Sequence, residues 1–177
     1  MALVERKYKT WLDGEKKEAL VRLAQEQAAI AVEGGDPPFG ALLVGMDGSI
    51  IEQAHNTQNS SLDPTAHAEI NLLRRAARSL GNRYLSDYLV FTNAEPCPMC
   101  MAAMISAGIQ GVYFGASHEQ RINLPIAAAE LASRSKTSVS VEGGILREWT
   151  AGEILRGRQR IEKPSTEEPS RIRGIRE

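Results

Sequence analysis

The chain has 177 residues, 42% hydrophobic and 24% charged, which suits one domain whose core closes without a disulfide staple. Lys and Arg number 21 against 22 Asp and Glu, and the net charge of −1 excludes a broad basic face for nucleic acid while leaving a local patch open. No apolar run approaches the roughly 18 residues of a membrane span, and no signal-peptide core follows the charged N-terminus, so the expectation is a cytoplasmic protein with no membrane partner.

Along the chain, the spacing of Ala19, Leu20, Leu23, Ala24, Ala28 and Ala31 predicts a helix over 16–32, stopped by Gly34-Gly35 and barred from restarting by Pro37-Pro38. Two apolar runs, 41–46 and 49–54, flank Asp47-Gly48 and read as a hairpin. Residues 56–63 are polar and loop-like, and Pro64 or Thr65 opens a helix that ends at Ser79 or Leu80 before Gly81-Asn82. A buried strand over 88–92, a helix over 98–108 and a strand over 111–115 follow. Residues 124–133 read as a helix, 139–141 as a short strand and 146–160 as the last helix. A hairpin followed by alternating helices and strands implies a mixed sheet covered on both faces. The division expected is a domain over 1–160 and a flexible charged tail over 161–177. From Arg156 onward seven basic residues face four acidic ones, so the chain before it carries −4.

Two cysteines, Cys97 and Cys100, are too few for a disulfide framework, and their spacing reads as metal or redox chemistry. They lie at a helix start, where a spacing of three points both sulfurs to one side and backbone N–H groups favour thiolate. His67 begins another helix, so two helix starts can converge on one ion. One imidazole and two thiolates suit Zn²⁺ and leave the fourth tetrahedral position open, as catalytic sites do. Glu69, two residues beyond His67, could exchange protons with a water there. Each fragment has a blander reading: Cys-x-x-Cys as a dithiol couple or half of a closed zinc site completed by His55 or His118, and His-Ala-Glu as an ordinary acidic helix start.

The run Asp63-Pro64-Thr65-Ala66-His67-Ala68-Glu69-Ile70, joined to Glu95-Pro96-Cys97-Pro98-Met99-Cys100, resembles the zinc-dependent cytidine and deoxycytidylate deaminase superfamily, most nearly its guanine deaminase and tRNA adenosine deaminase branches. The likeness covers most of 16–160 in element order. It implies a three-layer α/β fold with a central five-stranded mixed sheet flanked by helices, and a homodimer. It also implies that His67, Cys97 and Cys100 hold zinc, that Glu69 is the catalytic proton shuttle, and that Asn56, the backbone of Ala66, and Phe39 bind the substrate. Asn56 could equally be a turn residue and Phe39 core. Asn93 and Ala94 stand where relatives more often carry Thr or Ser, then Leu or Cys. Asn93, His118, Glu119 and Trp149 are therefore further candidates for the substrate side, with solvated loop the competing reading for His118 and Glu119, and packing for Trp149.

The activity expected is hydrolytic deamination of a small aminated heterocycle, guanine-type first, with release of ammonia. A tRNA-specific adenosine deaminase, a cytosine or nucleoside deaminase, and a noncatalytic zinc-containing binding protein are the alternatives. Charge ranks the tRNA reading second: Arg74, Arg75, Arg78 and Arg83 could form a patch, but Arg74 and Arg75 diverge on a helix.

Overall fold

The computed structural model describes residues 11–117 and 126–162. The Asp13 carboxylate accepts the Lys16 N–H at 2.8 Å, satisfying an amide that a helix start leaves over, and α1 runs over Gly14–Glu33. This cap, rather than the first apolar residue, sets the start, which is earlier than the periodicity predicts. The buried face of α1 is Leu20, Val21, Ala24, Gln25, Ala28 and Ala31. β1 (Gly40–Gly45) and β2 (Ile50–His55) form the antiparallel hairpin. At its turn Asp47 Oδ1 accepts the Ser49 N–H at 3.0 Å, and Gly48 takes a φ of +88° that a side chain would strain.

The next helix begins later than predicted. Asp63 Oδ1 accepts the N–H and the hydroxyl of Thr65, both at 2.7 Å, and the N–H groups of Ala66 and His67 donate to the carbonyls of Asp63 and Thr65. These turns take up Pro64 and Thr65, so α2 covers Ala68–Leu80 with His67 as its N-cap. β3 (Tyr88–Ala94), α3 (Pro98–Ala107) and β4 (Gly111–Ala116) make a parallel βαβ unit, both strands running slightly past their expected ends. α4 (Ala128–Arg134) starts later than the expected 124, and residues 124 and 125 lie outside the described residues. β5 (Ser140–Glu142) joins parallel to β4, and α5 (Arg147–Glu162) includes Ile161 and Glu162, while the rest of the expected tail lies outside the described residues.

The sheet order is β2-β1-β3-β4-β5, antiparallel at its first two junctions and parallel at its last two. All six residues of β1 are buried, so both faces are covered. Ala41 and Leu43 pack with Leu72, Met101 and Met104 of α2 and α3, whereas Leu42 and Val44 pack with Leu20, Val21 and Ala24 of α1. This is the three-layer α/β arrangement. No helix among the described residues is long and apolar enough to cross a membrane.

Strand direction then gathers four segments at one end of the sheet. Gly40 pairs with His55, Ala41 with Thr92, and Ala94 with Ala116. The entry to β1, the exit of β2 and the carboxyl ends of β3 and β4 therefore meet where such sheets form their ligand crevices.

Candidate metal centre and active site

His67 and Cys97 are the N-cap residues of α2 and α3, and neither side chain is spent on capping its helix. Cys100 lies three residues further on, fully buried in the first turn of α3. His67 Nδ1 is 3.6 Å from Cys97 Sγ and 3.5 Å from Cys100 Sγ, and the two sulfurs are 3.6 Å apart. A tetrahedral zinc with Zn–S of about 2.3 Å and Zn–N of about 2.05 Å has S–S edges near ~3.8 Å and N–S edges near ~3.6 Å. The triangle fits those edges and the donor set fits zinc. Among the described residues this is the cluster of three ligating side chains, and His55 is not part of it.

The electrostatics favour one thiolate before any ion arrives. The hydrogen bond with Cys100 pulls Cys97 down to about 4, helped by His67 and opposed by burial. Cys100 moves the other way, well above the ordinary thiol range, because of its bond to Cys97, its burial and the Glu69 charge. Two thiolates in contact repel, so the second proton leaves only when a cation replaces it. Burial likewise pushes the Glu69 carboxyl up, against its backbone hydrogen bond and the attraction of His67.

Glu69 is 7% exposed and lines a cleft of about 10 Å³ together with Phe39, His67, Thr92, Asn93, Ala94, Glu95 and Cys97. That volume has room for about one water. The structure thus brings together His67, Glu69, Cys97, Cys100, Phe39 and Asn93. Asn56 is wholly buried beside this group: its N–H donates to the Phe39 carbonyl at 3.0 Å. Its side chain forms a turn, Oδ1 accepting the Gln58 N–H and Nδ2 donating to Gln58 Oε1, both at 2.9 Å. Ala66 is buried, with its N–H on Asp63 and its carbonyl accepting from the Thr57 N–H and Asn71 Nδ2. Trp149 lies under the Arg22 guanidinium of α1, 4.7 Å from its ring centre, and does not line the cleft. His118 and Glu119 lie outside the described residues.

Sequence reasoning missed several groups that build the site. Asn71 Nδ2 reaches the carbonyls of His55 and Ala66 and the Thr57 hydroxyl, tying the segment before His67 to the end of β2. The buried Glu95 accepts the Ala128 N–H at 2.9 Å and so caps α4 from the metal-ligand loop. Asp36 holds the 57–63 loop through the N–H groups of Asn59 and Ser60. The one local signal among these was Asn71, four residues after His67 and on its side of α2.

This fold with a His/Cys/Cys centre at the carboxyl ends of parallel strands defines a zinc-binding deaminase class. Residues 14–116 match the cytidine and deoxycytidylate deaminase zinc-binding region, and the chain belongs to that family. It is 44% identical over 81 residues to a guanine deaminase of Bacillus subtilis (strain 168), covering 46% of this chain but only 51% of that relative. It is 33% identical over 127 residues to a tRNA-specific adenosine deaminase of Buchnera aphidicola subsp. Schizaphis graminum (strain Sg), covering 72% of this chain and 83% of the relative. A solved structure from work on A-to-I editing by tRNA:A34 deaminases superposes with a TM-score of 0.69 at 30% identity, over 76% of this chain and 98% of the other.

Proposed function

We propose that the protein is a zinc-dependent hydrolytic deaminase of a small aminated heterocycle, guanine-type first. The observation that carries this reading is the buried carboxyl of Glu69 on the same cleft as His67 and Cys97, next to an ion site with three protein ligands. Zinc held by His67, Cys97 and Cys100 would supply an activated water at its open position. Glu69 takes one proton of the attacking water on its carboxylate and gives it to the adjacent ring nitrogen, then takes the remaining proton from the hydroxyl on the tetrahedral carbon and passes it to the departing amine, which leaves as ammonia. Its burial raises its affinity for that proton, because the charged form is poorly solvated. Phe39 walls the ring, the backbone at Ala66 meets its edge, and Asn56 hydrogen-bonds it once Nδ2 turns from Gln58. The cleft itself takes about one water, so the ring lies across its mouth.

The substrate ranking rests on charge. Arg74 pairs with Asp63 at 3.5 Å, Arg75 with Glu52 at 3.0 Å, and Arg83 lies over the Tyr84 ring and donates to its hydroxyl. Three of the four arginines that could hold phosphates are thus engaged within the chain. The tRNA reading stands second, favoured by the similarity to tRNA-specific adenosine deaminases. Cytosine and nucleoside substrates follow, and a noncatalytic zinc protein gives Glu69 no role. Ammonia release across guanine, cytosine, adenine, their nucleosides, aminated triazines and adenosine-containing tRNA tests the ranking.

The domain we assign, expected over 1–160, extends to the end of α5 at Glu162 and is cytoplasmic, with 163–177 an appended tail. We assign a homodimer as well, supported by the outer side of α3, where Met99 is 37% exposed and Ala102 is exposed beside the metal ligands. Light scattering on the eluted protein tests it: a monomer mass at micromolar concentration contradicts it.

A further inference from the structure

We propose that Asn93 is a positioning residue for the substrate wall: its buried carboxamide brackets Phe39 and fixes the spacing between that ring and the metal ligands. Asn93 is 1% exposed on β3, one face of its neighbourhood being the cleft and the other α1. Its Oδ1 accepts the Gly40 N–H at 3.0 Å, and its Nδ2 donates to the Pro38 carbonyl at 3.0 Å and to Gln25 Oε1 at 2.9 Å. Both amide hydrogens are used, and the partners fix the amide's orientation, since the reverse would set oxygen against two oxygens. The residues held are those immediately before and after Phe39.

The remaining freedom of Phe39 is small. Its N–H donates to the Pro37 carbonyl at 2.7 Å and its carbonyl accepts the Asn56 N–H at 3.0 Å. Pro37 and Pro38 restrict their own φ angles. Gly40 lies so close to α1 that an added Cβ would stand 2.1 Å from the Ala24 carbonyl oxygen. Gln25 on α1 is 9% exposed, so the clamp joins helix, loop and strand out of water. Thr92, Asn93, Ala94, Glu95 and Cys97 all line the cleft from one stretch of chain. The strand that leads into the metal ligand therefore also holds, through Asn93, the facing wall. A hydroxyl at this position has a single hydrogen and could not hold Pro38 and Gln25 together.

The role at Phe39 rests on the deaminase reading, whereas the clamp itself does not, and the test separates them. Asn93→Asp keeps the shape but removes both donors, leaving the Pro38 carbonyl against a carboxylate. In the full-length zinc-loaded protein, hydrogen exchange by NMR should show the Asn56 amide, which donates to the Phe39 carbonyl, losing about tenfold or more in protection, while the Gly40 amide keeps an acceptor in the new carboxylate and zinc content is unchanged. On the substrate found by the ammonia panel, KM should rise about tenfold while kcat stays within about threefold. In a Phe39→Ala background, Asn93→Asp should add less than about twofold, because the group it positions is gone. Unchanged Asn56 protection overturns the clamp. A fall in kcat at constant KM, or effects of N93D and F39A that multiply, overturns the positioning role. Should N93D not fold, Gln25→Met removes one acceptor only and should give the same pattern at about two- to threefold, with no effect counting against the proposal. The exchange measurement needs no turnover, so it decides the clamp even if no substrate in the panel is deaminated.

Discussion

Glu69 combines two properties that elsewhere conflict. A buried carboxyl is costly to ionise, and a general base must ionise. Here burial raises it while a backbone hydrogen bond and the His67 charge pull it down, and these opposed effects fit the proton-exchange role proposed for it. Glu69→Gln preserves shape and removes the exchangeable carboxylate. Zinc content should persist and kcat should fall by about 10²–10⁴-fold, measured by metal analysis and steady-state kinetics on one preparation. The cysteines give a second expectation. Since Cys97 titrates at about 4 and Cys100 is held well above the thiol range, the metal-free protein at pH 7 carries one thiolate and one thiol. Zinc uptake should release about one proton, from Cys100, rather than two. Titration in weak buffer on the Glu69→Gln protein, at a pH above the imidazole range so that the thiols alone respond, checks this. Zinc affinity should fall as pH falls, first through competition with the Cys100 proton and more steeply below Cys97's range, where a second ligand is protonated.

At the scale of elements, the metal triad was legible because its chemistry is local. His67-Ala68-Glu69 and Cys97 to Cys100 each sit within one helix start, and ligand type plus spacing carries the meaning. The supports were not legible, because their partners are distant: Gly40 lies 53 residues from Asn93, Gln25 lies 68 from it, and Ala128 lies 33 from Glu95. The start of α2 was misplaced for a related reason. Pro64 reads as a first helical residue, but the Asp63 side chain closes turns on Thr65 first, and this delay sets His67 at the helix tip. The strands were placed to within one or two residues by apolar runs and the Asp47-Gly48 turn, with Gly40, Asn93 and Ala94 among the end residues left out. Gly40 packs tightly against α1. Gly40→Ala should cost about 3 kcal/mol or more in urea unfolding, since backbone rather than a mobile side chain meets the new atom. By contrast Asp13→Ala, which removes only the α1 cap, should cost about 1 kcal/mol.

For the whole molecule, topology explains why one end of the sheet is the site. The antiparallel β1 enters where the parallel β3 and β4 leave, so Phe39 faces the start of α3 although 58 residues separate it from Cys97 in sequence. Fold class, metal chemistry and Phe39 as a candidate for the substrate side were readable without that closure, while the contacts that hold Phe39 at the cleft were not. Charge also acts at this scale: the −4 balance before Arg156 and the internally paired arginines leave few cations for a phosphate backbone. Removing residues 163–177 should therefore leave turnover of a small heterocycle within about twofold, checked by kinetics on the truncated chain. The most direct test of the central claim is ammonia release by the zinc-loaded protein, with Glu69→Gln as the control, across the free bases, nucleosides, triazines and tRNA. Turnover of one small heterocycle, guanine first, abolished in the Glu69 variant and little changed by moderate salt, is the predicted result. Full activity without zinc, or inosine formation in tRNA alone with a steep loss in salt, would contradict it.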